Sequence, residues 1–178
     1  TNLSRGCEDK KYLTVSVEVR KEKGESYSML KGLFKHFEIM YVLADEQDVI
    51  TLRTLARGDQ VYLYPVKASP KDIQELFLSM LEDVTALNKN PEFYNTLTNN
   101  CTTNIVKHVN TIAKDKVPWD LRIWLSGYSD ELALELELLD TDKSLQEARK
   151  YYHINKRANE AVGRADFSER IRMPETGK

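Results

Sequence analysis

Residues 60–88, QVYLYPVKASPKDIQELFLSMLEDVTALN, change hydrophobic period partway through. Gln60–Val66 is dense in β-branched and aromatic residues and reads as a strand. From Pro70 onward the period is helical. Ile73, Leu76, Phe77, Met80, Leu81, Val84 and Leu87 recur every third or fourth position. Ser69 is a natural N-cap for that helix, and Pro70 suits its first position, where no backbone N–H is required. The change near Ser69 divides the chain into a β-rich first half and a helical second half.

Working upstream, YLTVSVEVR alternates Leu13, Val15, Val17 and Val19 with Thr14, Ser16, Glu18 and Arg20. That period of two marks a half-buried strand. Phe37–Ala44 and Asp48–Ala56 add two β-rich runs before Gln60–Val66. The separators DEQ and RGD are hairpin-sized, which predicts an antiparallel meander. Downstream, Ile105, Val106, Val109 and Ile112 form a second helical stripe. SDELALELELLDT predicts a third helix capped by Ser129 or Asp130. SLQEARKYYHINKRANEAV predicts a fourth, polar and lying along one edge. Strands followed by helices give an α+β class, with the sheet packed against the helices. The expected organisation is one domain over 1–165 and a loosely held tail over 166–178.

Lys plus Arg number 26 against 28 Asp plus Glu, a net charge of −2. That balance excludes the basic footprint of a nucleic-acid binder. No run of residues approaches the roughly 20 apolar positions of a membrane-spanning helix. The sequence opens at Thr1 without Met, as a fragment or a processed product would. Three histidines (His36, His108 and His153) and two cysteines (Cys7 and Cys101) show no metal-ligand spacing, so neither metal nor cofactor is expected.

YNTLTNNCTTNI, Tyr94–Ile105, sets Cys101 among Asn and Thr just ahead of the second helical stripe. Asn100 is placed to cap that helix, which puts Cys101 in its first turn. Unpaired N–H groups and the helix dipole favour a thiolate there and can receive an oxyanion. Free cysteine is also a small, frequently buried hydrophobe, so a core position or a bridge to Cys7 stands beside the nucleophile reading. His108 lies two turns along the same helix, about 10 Å away, beyond reach of the thiol. Glu18 and Arg20 share one strand face. They serve either as charges on a solvated sheet edge or as cleft residues, one orienting a base and one gripping a carboxylate or phosphate, with Arg53 and Arg57 as further clamp candidates. Tyr94 leads into the cysteine turn as a pocket-lining candidate. Trp119, Trp124 and Tyr128 form an aromatic cluster, expected to close the core rather than line a lipid groove.

The blocks SVEVRKEKGESYSMLKGLFKHFEIMYVLADEQDVITLRT, VYLYPV, PEFYNTLTNNCTTNI and GYSDELALELELLD resemble, in this order, the Lnb-type N-terminal periplasmic domain family. That resemblance implies a periplasmic or cell-envelope location and a lipid, lipoprotein or cell-wall peptide substrate. Membrane association would come through regions outside this chain. Asn100–Cys101 at a helix start is also similar to the Asn-Cys motif of circularly permuted NlpC-like and lecithin:retinol-acyltransferase-like thiol enzymes. This implies a permuted papain-like fold with Cys101 as nucleophile and a histidine from an earlier strand as base. In the family that histidine precedes the SVEVR strand, at or before Thr1 here, which leaves His36 as the candidate within the chain. The expected function is cysteine-dependent acyl transfer, with Asn100, Tyr94, Glu18 and Arg20 around the substrate. The alternative is a non-catalytic recognition or scaffold domain that keeps the fold.

Overall fold

The computed structural model describes residues 12–20 and 37–174. Their class is α+β: a two-stranded antiparallel sheet and seven α-helices among the described residues. Strands β1 (Leu13–Arg20) and β2 (Glu38–Asp45) pair as the alternation predicts. The chain divides into two compact units, and each strand contributes residues to both.

The first unit draws on residues 12–15, 43–63 and 153–174 of the described chain. Here the expected strand over Asp48–Ala56 is overturned. Residues Glu46–Thr51 form α1, and Leu52–Arg57 continue it as a π-helix. Asp45 caps this helix by accepting from the Gln47 N–H at 2.9 Å, and Glu46 and Asp48 place negative charge in its first turn. Those local terms, with Ile50 and Thr54 one turn apart on the buried side, outweigh the β-propensity of the Val-Ile-Thr run. Gly58, at φ 69°, takes the left-handed conformation that closes the π-helix. RGD therefore spans a helix end rather than a hairpin turn.

Helices α6 (Asn155–Ala161) and α7 (Phe167–Arg172) supply most of this unit's core. Ile154, Ala158, Ala161, Phe167 and Ile171 cluster with Ile50, and Val61 and Leu63 pack on their rim. The helix expected over residues 144–162 is in fact two, α5 (Leu145–Tyr152) and α6. The break lies where Tyr62 bridges His153 and the Ile154 N–H reaches the Val61 carbonyl at 3.0 Å. Asn155 reinforces it, accepting from the Val61 N–H at 2.8 Å and donating to the Asp59 carbonyl at 2.7 Å. Rather than lying at an edge, α6 is central to the core. The stretch expected to be a loose tail contains α7, whose Arg172 grips the buried Glu46 carboxylate at 2.6 and 2.7 Å.

The second unit draws on residues 16–20, 37–42 and 64–152. Helix α2 (Pro70–Lys89) starts at a capping box in which Ser69 and Asp72 satisfy each other's backbone N–H. It packs along α3 (Cys101–Ile112). In place of a fourth strand, residues 60–66 run extended and make single bridges, Val66 pairing with Leu139 in this unit. Pro65 lacks an N–H, but its carbonyl accepts from Asp140 at 2.9 Å. The predicted meander is thus reduced to two strands among the described residues. Helix α4 (Ser129–Glu135) has Tyr128 rather than Ser129 or Asp130 at its N-cap, without a side-chain cap. Asp130 instead receives the Arg149 guanidinium at 2.8 Å and the Tyr64 hydroxyl at 2.9 Å, which hold its carboxyl below the usual range.

Candidate functional site

The approach to Cys101 is built by short hydrogen bonds. Its first part is stitched to β2: the Ile39 N–H reaches the Glu92 carbonyl at 3.0 Å, and the Tyr94 N–H reaches the Phe37 carbonyl at 2.7 Å. Asn95 then folds the chain back on itself. Its side chain accepts from the N–H groups of Leu97 and Thr98, and its backbone pairs with that of Asn99. This turn delivers Asn100, which is 2% exposed, to the start of α3.

Asn100 is the N-cap that the sequence predicts. Its side-chain oxygen accepts from the Thr103 N–H at 2.8 Å, and the Thr103 hydroxyl accepts from the Asn100 N–H at 2.8 Å. Its amide nitrogen donates to the Thr96 carbonyl at 2.8 Å and reaches the Ile123 carbonyl at 3.5 Å. Cys101 follows as the first residue of the helix, a half-buried free thiol with its sulfur 3.9 Å from the Thr102 hydroxyl.

Behind the cysteine, α3 buries a polar face. Thr102, Asn104 and His108 are its buried residues, whereas Ile105 of the expected apolar stripe is exposed. The His108 imidazole is fully enclosed. Its Nε2 lies 2.8 Å from the Tyr41 hydroxyl and 3.4 Å from Asp83, and its Nδ1 lies 2.9 Å from the Ser79 hydroxyl. The Tyr41 hydroxyl also donates toward the Asn104 side-chain oxygen at 3.5 Å. Burial drives the His108 pKa down against the opposing pull of Asp83, so the ring is neutral. Burial also lifts the Tyr41 hydroxyl above the ordinary phenol range, helped by the charges of Asp83 and Glu92. Asn104 extends the network toward the cysteine turn, donating to Asn99 at 2.7 Å and to the Asn100 carbonyl at 2.8 Å. Residues 101, 104 and 108 share one helix face, the signal by which the sequence could have revealed this network.

The remaining candidates are placed as follows. Tyr94 is buried beside the turn. Glu18 accepts from the Ser16 hydroxyl at 2.7 Å, and Arg20 pairs across the strands with Glu38 at 2.7 Å, its side chain 68% exposed. Glu38 in turn bridges to Phe93, so Arg20 meets the sheet end from which the cysteine approach departs. Arg53 lies 3.7 Å from Asp59 in the first unit, where His153 contacts Gln60 at 2.7 Å. His36 and Cys7 lie outside the described residues. A shallow groove of about 310 Å³ opens beside the turn, lined by Pro91, Glu92, Phe93, Asn95, Thr98 and Asn99. Among the described residues no helix is long and apolar enough to cross a membrane.

No curated protein and no solved structure matches the chain. A family model, described as the Lnb N-terminal periplasmic domain, matches residues 5–127. The match takes in both strands, the capped turn and the whole of α3, and ends as the GYSDELALELELLD block begins. The chain belongs to the Lnb N-terminal periplasmic domain family and is periplasmic.

Proposed function

We propose that this domain performs cysteine-dependent acyl transfer, with Cys101 as the nucleophile. The observation that carries the reading is the Asn100 capping box, which sets a half-buried free thiol at the first position of a 12-residue helix. First-turn N–H groups that the cap leaves over are oriented to receive an oxyanion. In the reaction the Cys101 sulfur attacks the carbonyl carbon of an ester or amide. The bond to the leaving oxygen or nitrogen breaks, and the leaving group takes a proton. The thioester then passes its acyl group to an amine or to water, releasing the thiol. His36 is the base proposed within the chain, the alternative being a histidine ahead of β1. A sheet preceding the cysteine helix fits a permuted papain-like arrangement. Lipid or lipoprotein acyl groups are the substrate class proposed, with cell-wall peptide second.

The rival is a recognition or scaffold domain without chemistry. The enclosure of His108, committed to Tyr41 and Ser79 rather than to the thiol, favours it. The Cys101→Ala variant separates the two when acyl transfer and thermal melting are measured together. The expected result is loss of transfer with stability changed by less than about 1 kcal/mol, because the sulfur is only half-buried. Full activity in the variant would end the enzyme reading.

A further inference from the structure

Two threonines follow Cys101, and their hydroxyls are used differently. The Thr103 hydroxyl belongs to the cap: it accepts from the Asn100 N–H at 2.8 Å and donates to the Asn100 carbonyl at 3.0 Å. Threonines farther along the helices return their hydroxyl to a carbonyl three or four residues back, Thr85 to Leu81 at 2.9 Å and Thr111 to His108 at 2.6 Å. Thr102 makes no such bond. The carbonyls at those separations are those of Thr98 and Asn99, inside the turn that Asn95 and Asn99 close. The side chain is buried all the same, with Thr102 only 9% exposed. Among the described residues its hydroxyl meets a single polar atom, the Cys101 sulfur at 3.9 Å.

A buried hydroxyl without an acceptor costs free energy, and here the acceptor within reach is sulfur. A neutral thiol accepts weakly. A thiolate accepts strongly, and the bond to it is charge-assisted. The buried hydroxyl therefore gives the ionised form of Cys101 a bond that the neutral form barely makes, which favours ionisation. Among the described residues no charged side chain bonds to the sulfur, so this hydroxyl is its side-chain donor there. We propose that Thr102 is a catalytic residue, its hydroxyl donating to the Cys101 sulfur and holding it in the reactive, ionised form. The bond loses its charge assistance once the sulfur is acylated and regains it when the acyl group leaves. As a role in catalysis this rests on Cys101 being the nucleophile proposed above, but ionisation of the thiol is measurable without acyl transfer.

The test is the rate at which iodoacetamide alkylates Cys101 in the whole chain at pH 6 and at pH 10. Mass spectrometry of the peptide carrying residue 101 separates it from Cys7. Thr102→Val keeps the shape of the side chain and removes the hydroxyl. It should slow alkylation about tenfold at pH 6, the worth of one hydrogen bond to an ionised group. At pH 10, where a thiol ionises without help, its rate should stay within about twofold of the unsubstituted chain. Thr102→Ala should repeat the loss at pH 6, and Thr102→Ser, which keeps the hydroxyl, should restore the rate to within about twofold. Circular dichroism shows that each variant is folded, and Tm should not fall in Thr102→Val. Equal rates at pH 6 in the Val variant and the unsubstituted chain would overturn the proposal. So would a tenfold loss at both pH values, the mark of altered access to the sulfur rather than altered ionisation. Hydrolysis of p-nitrophenyl acetate tests the acyl-transfer reading separately. If Cys101→Ala hydrolyses that ester as fast as the unsubstituted chain, that reading fails, while the alkylation result for Thr102 stands on its own.

Discussion

His108 is a neutral imidazole enclosed by protein on every side, and its surroundings predict how the fold responds to acid. Tyr41 faces it from β2, Ser79 and Asp83 face it from α2, and Lys107 neighbours it on α3 while pairing with Asp83 at 2.6 Å. Its pKa in the folded chain lies below the ordinary value of about 6.5. In the window between the two values the unfolded chain binds the extra proton, so stability is complete above about 6.5 and falls as pH drops through the window. A urea midpoint measured from pH 8 downward should stay level and then decline. The His108→Gln variant should be less stable at pH 8 and lack that part of the decline. Parallel declines in the two proteins would show that His108 is not the group responsible.

At the scale of elements, α2 and α3 each begin with a complete capping box, and the two caps should differ in worth. Ser69 is exposed, and its bond with Asp72 is local, so Ser69→Ala should cost about 1 kcal/mol. Asn100 is buried and also donates to the Thr96 carbonyl, which its loss would leave without that donor. Asn100→Ala should therefore cost about 2 kcal/mol or more, the lost cap and the lost bond to Thr96 adding together. Chemical denaturation followed by circular dichroism measures both. Equal losses would mean that the turn before Cys101 rearranges to satisfy Thr96 in another way.

For the molecule as a whole, the first unit depends on pieces far apart in sequence. Phe167 and Ile171, 2% and 0% exposed, pack in the cluster that holds Ile50, and Arg172 pairs with Glu46 across 126 positions while lying over the Tyr12 ring at 4.3 Å. Phe167→Ala should accordingly cost about 3–5 kcal/mol, as large-to-small changes in a closed core do. A loss below about 0.5 kcal/mol, the ordinary surface value, would return residues 166–174 to the status of a loose tail.

What the sequence determined by itself is what short-range chemistry controls. The caps at Ser69 and Asn100 act through bonds only three residues long, and both are where their residue types place them. The strands at Leu13–Arg20 and Glu38–Asp45 follow from strict alternation or a bounded β-rich run, and the family was legible in the blocks around the cysteine. Tertiary structure decided the rest. Asp48–Ala56 carries β-branched residues whose preference depends on what they pack against, and here a cap at Asp45 and a buried face at Ile50 turned them helical. His108 met Tyr41 and Ser79 from 67 and 29 positions away, partners that no local pattern identifies. Trp119 was left in water although its neighbour Ile123 is buried, because burial sums contacts from distant segments and composition does not record which side of a loop faces them.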